Sequence, residues 1–237
     1  MDAELLGGGH DSELVTRVGD TVRRPLRPWS RSVHALLRHL ESAGFEAAPR
    51  VVGVDEAKRQ EVLSYVAGSD GRVAQCHDDA ALVRVADLVR SLHDAAATFV
   101  PPPGSIWRRD PHAPPGPLLC HNDLGPANTI YRDGRPQAFI DWDFAAPTTA
   151  VWDLGYAVRS FVPLYSPQDC IAMGYPVDRQ AERLRLFCDA YGMGRLTRDA
   201  LLPAVRARLD AQDSAFTERT RETLRDRWAE WGHALGN

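Results

Sequence analysis

The run Leu118-Leu119-Cys120-His121-Asn122-Asp123-Leu124-Gly125-Pro126-Ala127-Asn128-Thr129-Ile130-Tyr131, followed by Phe139-Ile140-Asp141-Trp142-Asp143, decides the fold. An apolar stretch ends in a polar loop, resumes, turns at Asp133-Gly134-Arg135-Pro136 and ends again at acids. That pattern predicts strand, loop, strand, turn and strand, with polar groups presented at strand ends. Asp123 and Asn128 are five residues apart, and Asp141 closes the returning strand. A carboxylate in such a place can orient a hydroxyl and accept its proton. Neighbouring carboxylate and amide oxygens can hold Mg²⁺ on phosphates.

The Asp-x-x-x-x-Asn spacing, His121 two residues before Asp123, and Ile140-Asp141-Trp142 as the second acidic site resemble the aminoglycoside phosphotransferase and choline kinase branch of the protein kinase-like fold. The resemblance covers most of the chain and is sharpest from Leu118 to Tyr156. It implies an α+β, two-lobed architecture. A small, shortened β-rich lobe with the hinge would occupy residues 1–68, and a mainly helical lobe with the catalytic loop and acceptor site residues 69–237. It implies ATP and Mg²⁺ as cofactors, Asp123 as the catalytic carboxylate, and Asn128 and Asp141 as metal ligands. His121 is expected to shape the loop through backbone bonds, and Asp153, in Asp153-Leu154, to brace it. Asp143 has three open roles: meeting a substrate cation, assisting the metal, or capping the next turn. The implied activity is transfer of the γ-phosphoryl group of ATP to a hydroxyl of a small molecule, an aminoglycoside-type antibiotic or a related amino alcohol or sugar.

Composition is consistent with this. The chain has 237 residues, 44% hydrophobic and 25% charged, ordinary values for a globular protein with a sizeable core. A net charge of -4 argues against nucleic acid as the main partner. No apolar run is long enough to span a membrane, and Met1 to His10 lacks the character of a signal peptide. Cys76, Cys120, Cys170 and Cys188 are scattered without a Cys-x-x-Cys pair, as expected of buried thiols in a reducing compartment. A cytoplasmic protein with no obligate protein partner is the expectation.

Upstream, Ala3 to Leu6 and Glu13 to Val18 suggest two short strands around Gly7-Gly8-Gly9. That triplet suits either a phosphate-approaching loop or a plain hairpin. Thr21-Val22-Arg23-Arg24-Pro25 continues the sheet. The family resemblance asks for a phosphate-binding cation here. Strand alternation puts Thr21 and Arg23 on one face, making Arg23 the choice and Arg24 the substitute. Ser30 is expected to cap a helix with Val33, Leu36, Leu37 and Leu40 on its apolar face, ended by Gly44. Family helices in this place offer an acid to the strand cation. Here His34 lies near that position and Glu41 comes too late, which is the main departure from the pattern. Two alternating strands follow, Pro49–Val54 and Glu61–Val66, the second running into a hinge where Tyr65 and Val66 would flank adenine.

Asp78 to Phe99 reads as a helix carrying a structural His93 on its stripe. A Pro-rich connection follows, with Ile106 and Trp107 expected to pin it to the core. Thr148 or Thr149 should cap a helix holding Asp153. Helices are predicted over Gln180–Tyr191 and from Thr197 to about Ala234. Trp142, Tyr165 and Tyr175 could either pack or box a quaternary ammonium. Two competing functions use the same residues: a non-catalytic nucleotide-binding regulator, favoured by the missing helix acid, and a metal-dependent hydrolase built on His121, Asp123, Asp141 and Asp143.

Overall fold

The computed structural model describes residues 3–6, 15–74 and 78–236. The glycine triplet and Cys76 lie outside the described residues. Strands β1 (Ala3–Leu5), β2 (Thr16–Val18) and β3 (Thr21–Pro25) pair antiparallel, and helix α1 (Ser30–Ser42) follows. Strands β4 (Val51–Asp55) and β5 (Gln60–Ser64) complete a five-stranded sheet in the order β1-β2-β3-β5-β4. Gly19-Asp20 forms the β2–β3 turn, with Gly19 at φ +61°. The β3–β5 register sets Arg24 opposite Glu61 and Val22 opposite Leu63. Cross-strand partners share a face, so Arg24 and Glu61 lie on the side where Leu63 is buried.

Helix α1 buries Val33, Leu36, Leu37 and Leu40, as its periodicity predicts. Its cap differs from expectation: Ser30 is already helical, and its Oγ accepts from Arg27 N at 2.9 Å rather than from the helix's own amides. Gly44, at φ +82°, ends the helix as expected. Helix α1 packs on α3, and Phe139 N donates to Ala47 O at 2.9 Å, so one apolar core runs through both lobes.

After Tyr65 to Gly68 come β6 (Ser69–Asp70), α2 (Gly71–Ala74) and α3 (Asp79–Ala96). Gly68 takes φ +142°, and a Cβ there would lie 2.3 Å from Tyr131 O. Asp78 caps α3 by accepting from Ala81 N at 2.6 Å. In the connection Trp107 packs on the core, but Ile106 is exposed and contributes only its backbone, Ile106 N donating to Ser32 Oγ at 2.8 Å.

The central run forms β7 (Leu118–Cys120), a 3-10 turn (Pro126–Asn128), β8 (Thr129–Arg132) and β9 (Arg135–Phe139). A second 3-10 turn (Trp142–Phe144) leads to β10 (Ala146–Thr148). Strand β8 pairs with β6 and β9, and β7 with β10. Asp133 and Gly134 both take positive φ in the hairpin turn.

Helices α4 (Ala150–Phe161), α5 (Pro167–Ala172), α6 (Gln180–Tyr191), α7 (Arg195–Asp210), α8 (Ala215–Asp226) and α9 (Trp228–Ala234) complete the chain. Thr149 caps α4, accepting from Trp152 N at 3.3 Å. The expected long terminal helix is three, because the chain leaves the helix after Asp210 and restarts where Ser214 Oγ accepts from Thr217 N at 3.1 Å. Trp231 is buried there, whereas Trp228 is exposed. No described helix is long and apolar enough to cross a membrane.

Candidate active site

Asp123 lies in the loop after β7, and its surroundings are fixed by backbone. Asn122 takes φ +67°, a conformation asparagine tolerates better than most residues. Its Nδ2 donates to Cys120 O, Phe144 O and Ala146 O at 3.3, 3.1 and 3.2 Å. His121 Nε2 donates to Ile140 O at 3.0 Å, which leaves Nδ1 to accept from Asp123 N at 3.3 Å. His121 therefore bonds backbone at Ile140 and at Asp123.

Beneath the loop, fully buried Asp153 accepts from Asn122 N at 2.7 Å, His121 N at 3.3 Å and His93 Nε2 at 3.0 Å. Burial pushes the Asp153 carboxyl up, but His93, His121 and Arg208 outweigh it and hold it below the ordinary range. His93 Nδ1 meets the Tyr191 hydroxyl at 2.8 Å, so His93 is structural, as its place on the stripe suggested. His93, Cys120 and Asp153 come close enough together to suit a metal. The hydrogen bonds just described already occupy both His93 nitrogens and both Asp153 oxygens. Arg208, unremarked in the sequence, donates to Asn122 O at 2.9 Å and Trp152 O at 3.2 Å.

Above the brace, Asn128 Nδ2 donates to Asp123 Oδ2 at 2.8 Å and to Asp123 O at 3.0 Å. The Tyr156 hydroxyl lies near enough to the Asp123 carboxylate to feel its charge. Burial and the Asp123 charge raise the Tyr156 pKa, so this phenol is a donor at neutral pH. Tyr156 is a second neighbour of Asp123 that sequence reasoning missed. Its signal was its place one turn after Trp152-Asp153 on the capped helix.

Asp141 takes φ +59°, which turns its carboxylate off the end of β9. Arg24 Nη1 lies 3.2 Å from Asp141 Oδ1, and Nη2 lies 2.7 Å from Asp143 Oδ1. Arg24 Nε donates to Glu61. Arg23, the first sequence choice, lies on the other face of the strand, 4.0 Å from Asp55 Oδ2. Alternation separates the two faces of a strand but does not say which is inward. Protein walls and the neighbouring Asp143 and Asp123 raise the Asp141 carboxyl against the opposing pull of Arg24, although half its side chain still meets solvent. The hard oxygen donors of Asp141, Asp143 and Asn128, with a cation already drawn between two of them, fit an Mg²⁺-type ion.

Just after β5, Tyr65 N donates to Asp20 O at 2.8 Å and the Arg17 guanidinium stacks 3.8 Å over the Tyr65 ring, while Val66 packs on the core. Trp142 is buried and donates from Nε1 to Phe139 O at 3.0 Å, and Tyr165 packs edge-on against Tyr175 and Phe216. All three aromatics are packing residues here. Asp143 is paired with Arg24 in this structure.

A small antiparallel sheet above a helical lobe, with an Asp–Asn loop and a second acid facing a strand cation, defines the kinase-like phosphotransferase class. Comparisons agree. Residues 106–200 match the APH phosphotransferase enzyme family. The trifolitoxin immunity protein of Rhizobium leguminosarum bv. trifolii is 37% identical over 204 residues, 82% of this chain and 75% of that protein. The fold is shared with an amicoumacin kinase solved with AMP-PNP, Ca²⁺ and Ami, at TM-score 0.67, 10% identity and 96% and 88% coverage of this and that chain. It is also shared with a choline/ethanolamine kinase family protein from Mesorhizobium loti, at 0.59, 17%, 100% and 91%. The gentamicin complex of APH(2")-IIa gives 0.59, 15%, 100% and 91%. The chain belongs to the phosphotransferase enzyme family and is a small-molecule kinase.

Proposed function

We propose that this protein transfers the γ-phosphoryl group of Mg·ATP to a hydroxyl on a small molecule. The observation that supports it best is the pairing of two centres: Asp123 steadied by Asn128, and Arg24 drawn across Asp141 and Asp143. Asp123 orients the acceptor hydroxyl and takes its proton as that oxygen becomes acidic. Asn128 and Asp141, with Asp143 beside them, would hold Mg²⁺, which offsets charge on the phosphate oxygens. Arg24 turns its terminal nitrogens to the phosphates. Tyr65 and Val66 lie where the chain leaves the sheet for the helical lobe, which suits an adenine-facing hinge, with the boundary at residue 68. A cytoplasmic setting, where ATP is made, belongs to the same proposal.

Kinship with an immunity protein favours an antibiotic as the acceptor, of aminoglycoside type or another hydroxylated class. The non-catalytic reading loses its main support, because Glu61 supplies the acid that α1 lacks.

The test is incubation with Mg²⁺ and γ-labelled ATP against aminoglycosides, other hydroxylated antibiotics, amino alcohols and sugars, with Asp123→Asn alongside. Label moved to one class, and lost in the variant, is the expected result. Metal-dependent turnover without nucleotide would overturn it in favour of a hydrolase.

A further inference from the structure

Glu61 is wholly buried, and both of its carboxylate oxygens are engaged. Oε1 accepts from Arg24 Nε and Oε2 faces His34 Nε2. A carboxylate only accepts, so His34 Nε2 carries the proton directed at it. A charge withdrawn from water persists only when paired and hydrogen-bonded, and here both partners are present. Burial pushes the Glu61 carboxyl up, while His34 and Arg24 more than offset it and keep Glu61 ionised. Helix α1 contributes Ser30, Ser32 and His34 as its buried polar side chains, so the acid beside Arg24 comes from strand β5.

The guanidinium is planar, and holding it by Nε fixes the plane in which Nη1 and Nη2 point. Those two nitrogens are the ones directed at Asp141 and Asp143. We propose that Glu61, itself oriented by His34, is the positioning residue for Arg24, holding Nε so that both terminal nitrogens face the nucleotide phosphates. This rests on the phosphotransferase reading above. An arginine ordered before the ligand arrives loses less freedom on binding, so the benefit appears in affinity for phosphates and not for the nucleoside.

Calorimetric titration of Mg·ATP and of adenosine tests this without an acceptor. Wild type should bind Mg·ATP far more tightly than adenosine. Glu61→Gln should weaken Mg·ATP about tenfold and leave adenosine unchanged, with His34→Gln weaker in the same direction. In an Arg24→Gln background, adding Glu61→Gln should change nothing further, because the residue acts through Arg24. Should Glu61→Gln fail to fold, Glu61→Asp, which keeps the charge but draws it back from Arg24, provides the same comparison. Unchanged Mg·ATP binding, a parallel loss for adenosine, or full additivity in the double variant would overturn the inference alone. A wild-type protein that does not prefer Mg·ATP over adenosine would overturn the phosphotransferase reading and this inference with it.

Discussion

Arg24 and Asp141 stand 117 residues apart in the chain and meet at 3.2 Å, with the same guanidinium 2.7 Å from Asp143. Two carboxylates proposed for the metal thus already share one cation.

It follows that a metal ion and the Arg24 terminal nitrogens compete for the same two carboxylates while no nucleotide is bound. Mn²⁺ alone should bind wild type weakly, and Arg24→Gln should tighten it by about tenfold, roughly 1.4 kcal/mol. Free Mn²⁺ measured by electron paramagnetic resonance reads this directly. Equal affinity in both proteins would show that the ion pair does not guard the site.

Replacing Asp123 by Asn keeps an oxygen for the Asn128 amide but removes the proton acceptor. Transfer to the acceptor found by the labelled-ATP panel should fall by about 10²–10⁴-fold. Mg·ATP affinity should hold, since the groups proposed for the phosphates and the metal are Arg24, Asn128 and Asp141.

Asp153→Asn should cost about 3–5 kcal/mol of stability, because it removes the charge that pairs with buried His93 and receives the loop amides. Urea unfolding at neutral pH measures it. A shift well under 1 kcal/mol would contradict the brace.

Acid should act through the same residues. Asp153 and Glu61 are held below their ordinary values of 3.8 and 4.5. A carboxylate depressed in the folded state contributes stability above its unfolded pKa, and that contribution disappears as pH falls through the folded one. The urea midpoint should therefore drop steeply below about pH 4, and Asp153→Asn should lose less over that range than wild type.

Gly68→Ala places a Cβ 2.3 Å from Tyr131 O at φ +142°, so it should cost at least about 1–3 kcal/mol. Gly53→Ala, with nothing within 4 Å, is the matched control and should leave the thermal midpoint nearly unchanged.

Local pattern carried much of this structure. The central motif declared its own strands and turns, the helix from Asp78 and the cap at Thr148 or Thr149 were legible, and α1 and α3 showed their buried faces through periodicity. What spacing could not carry was pairing between distant strands. Glu61 shares the apolar phase of β5 with Leu63, which marks an acid that must be paired, but only the β3–β5 register names Arg24 as the partner. The same register decides between Arg23 and Arg24. Tyr156 and Arg208 were hidden for a similar reason: each reaches the loop across a helix packing that sequence periodicity leaves unspecified.

The acid and its cation occupy directly opposed positions on adjacent strands of one sheet. Ladder hydrogen bonds make them travel together, so no swing of α1 can pull Glu61 away from Arg24. An enzyme wired in this way has no built-in off position at that pair.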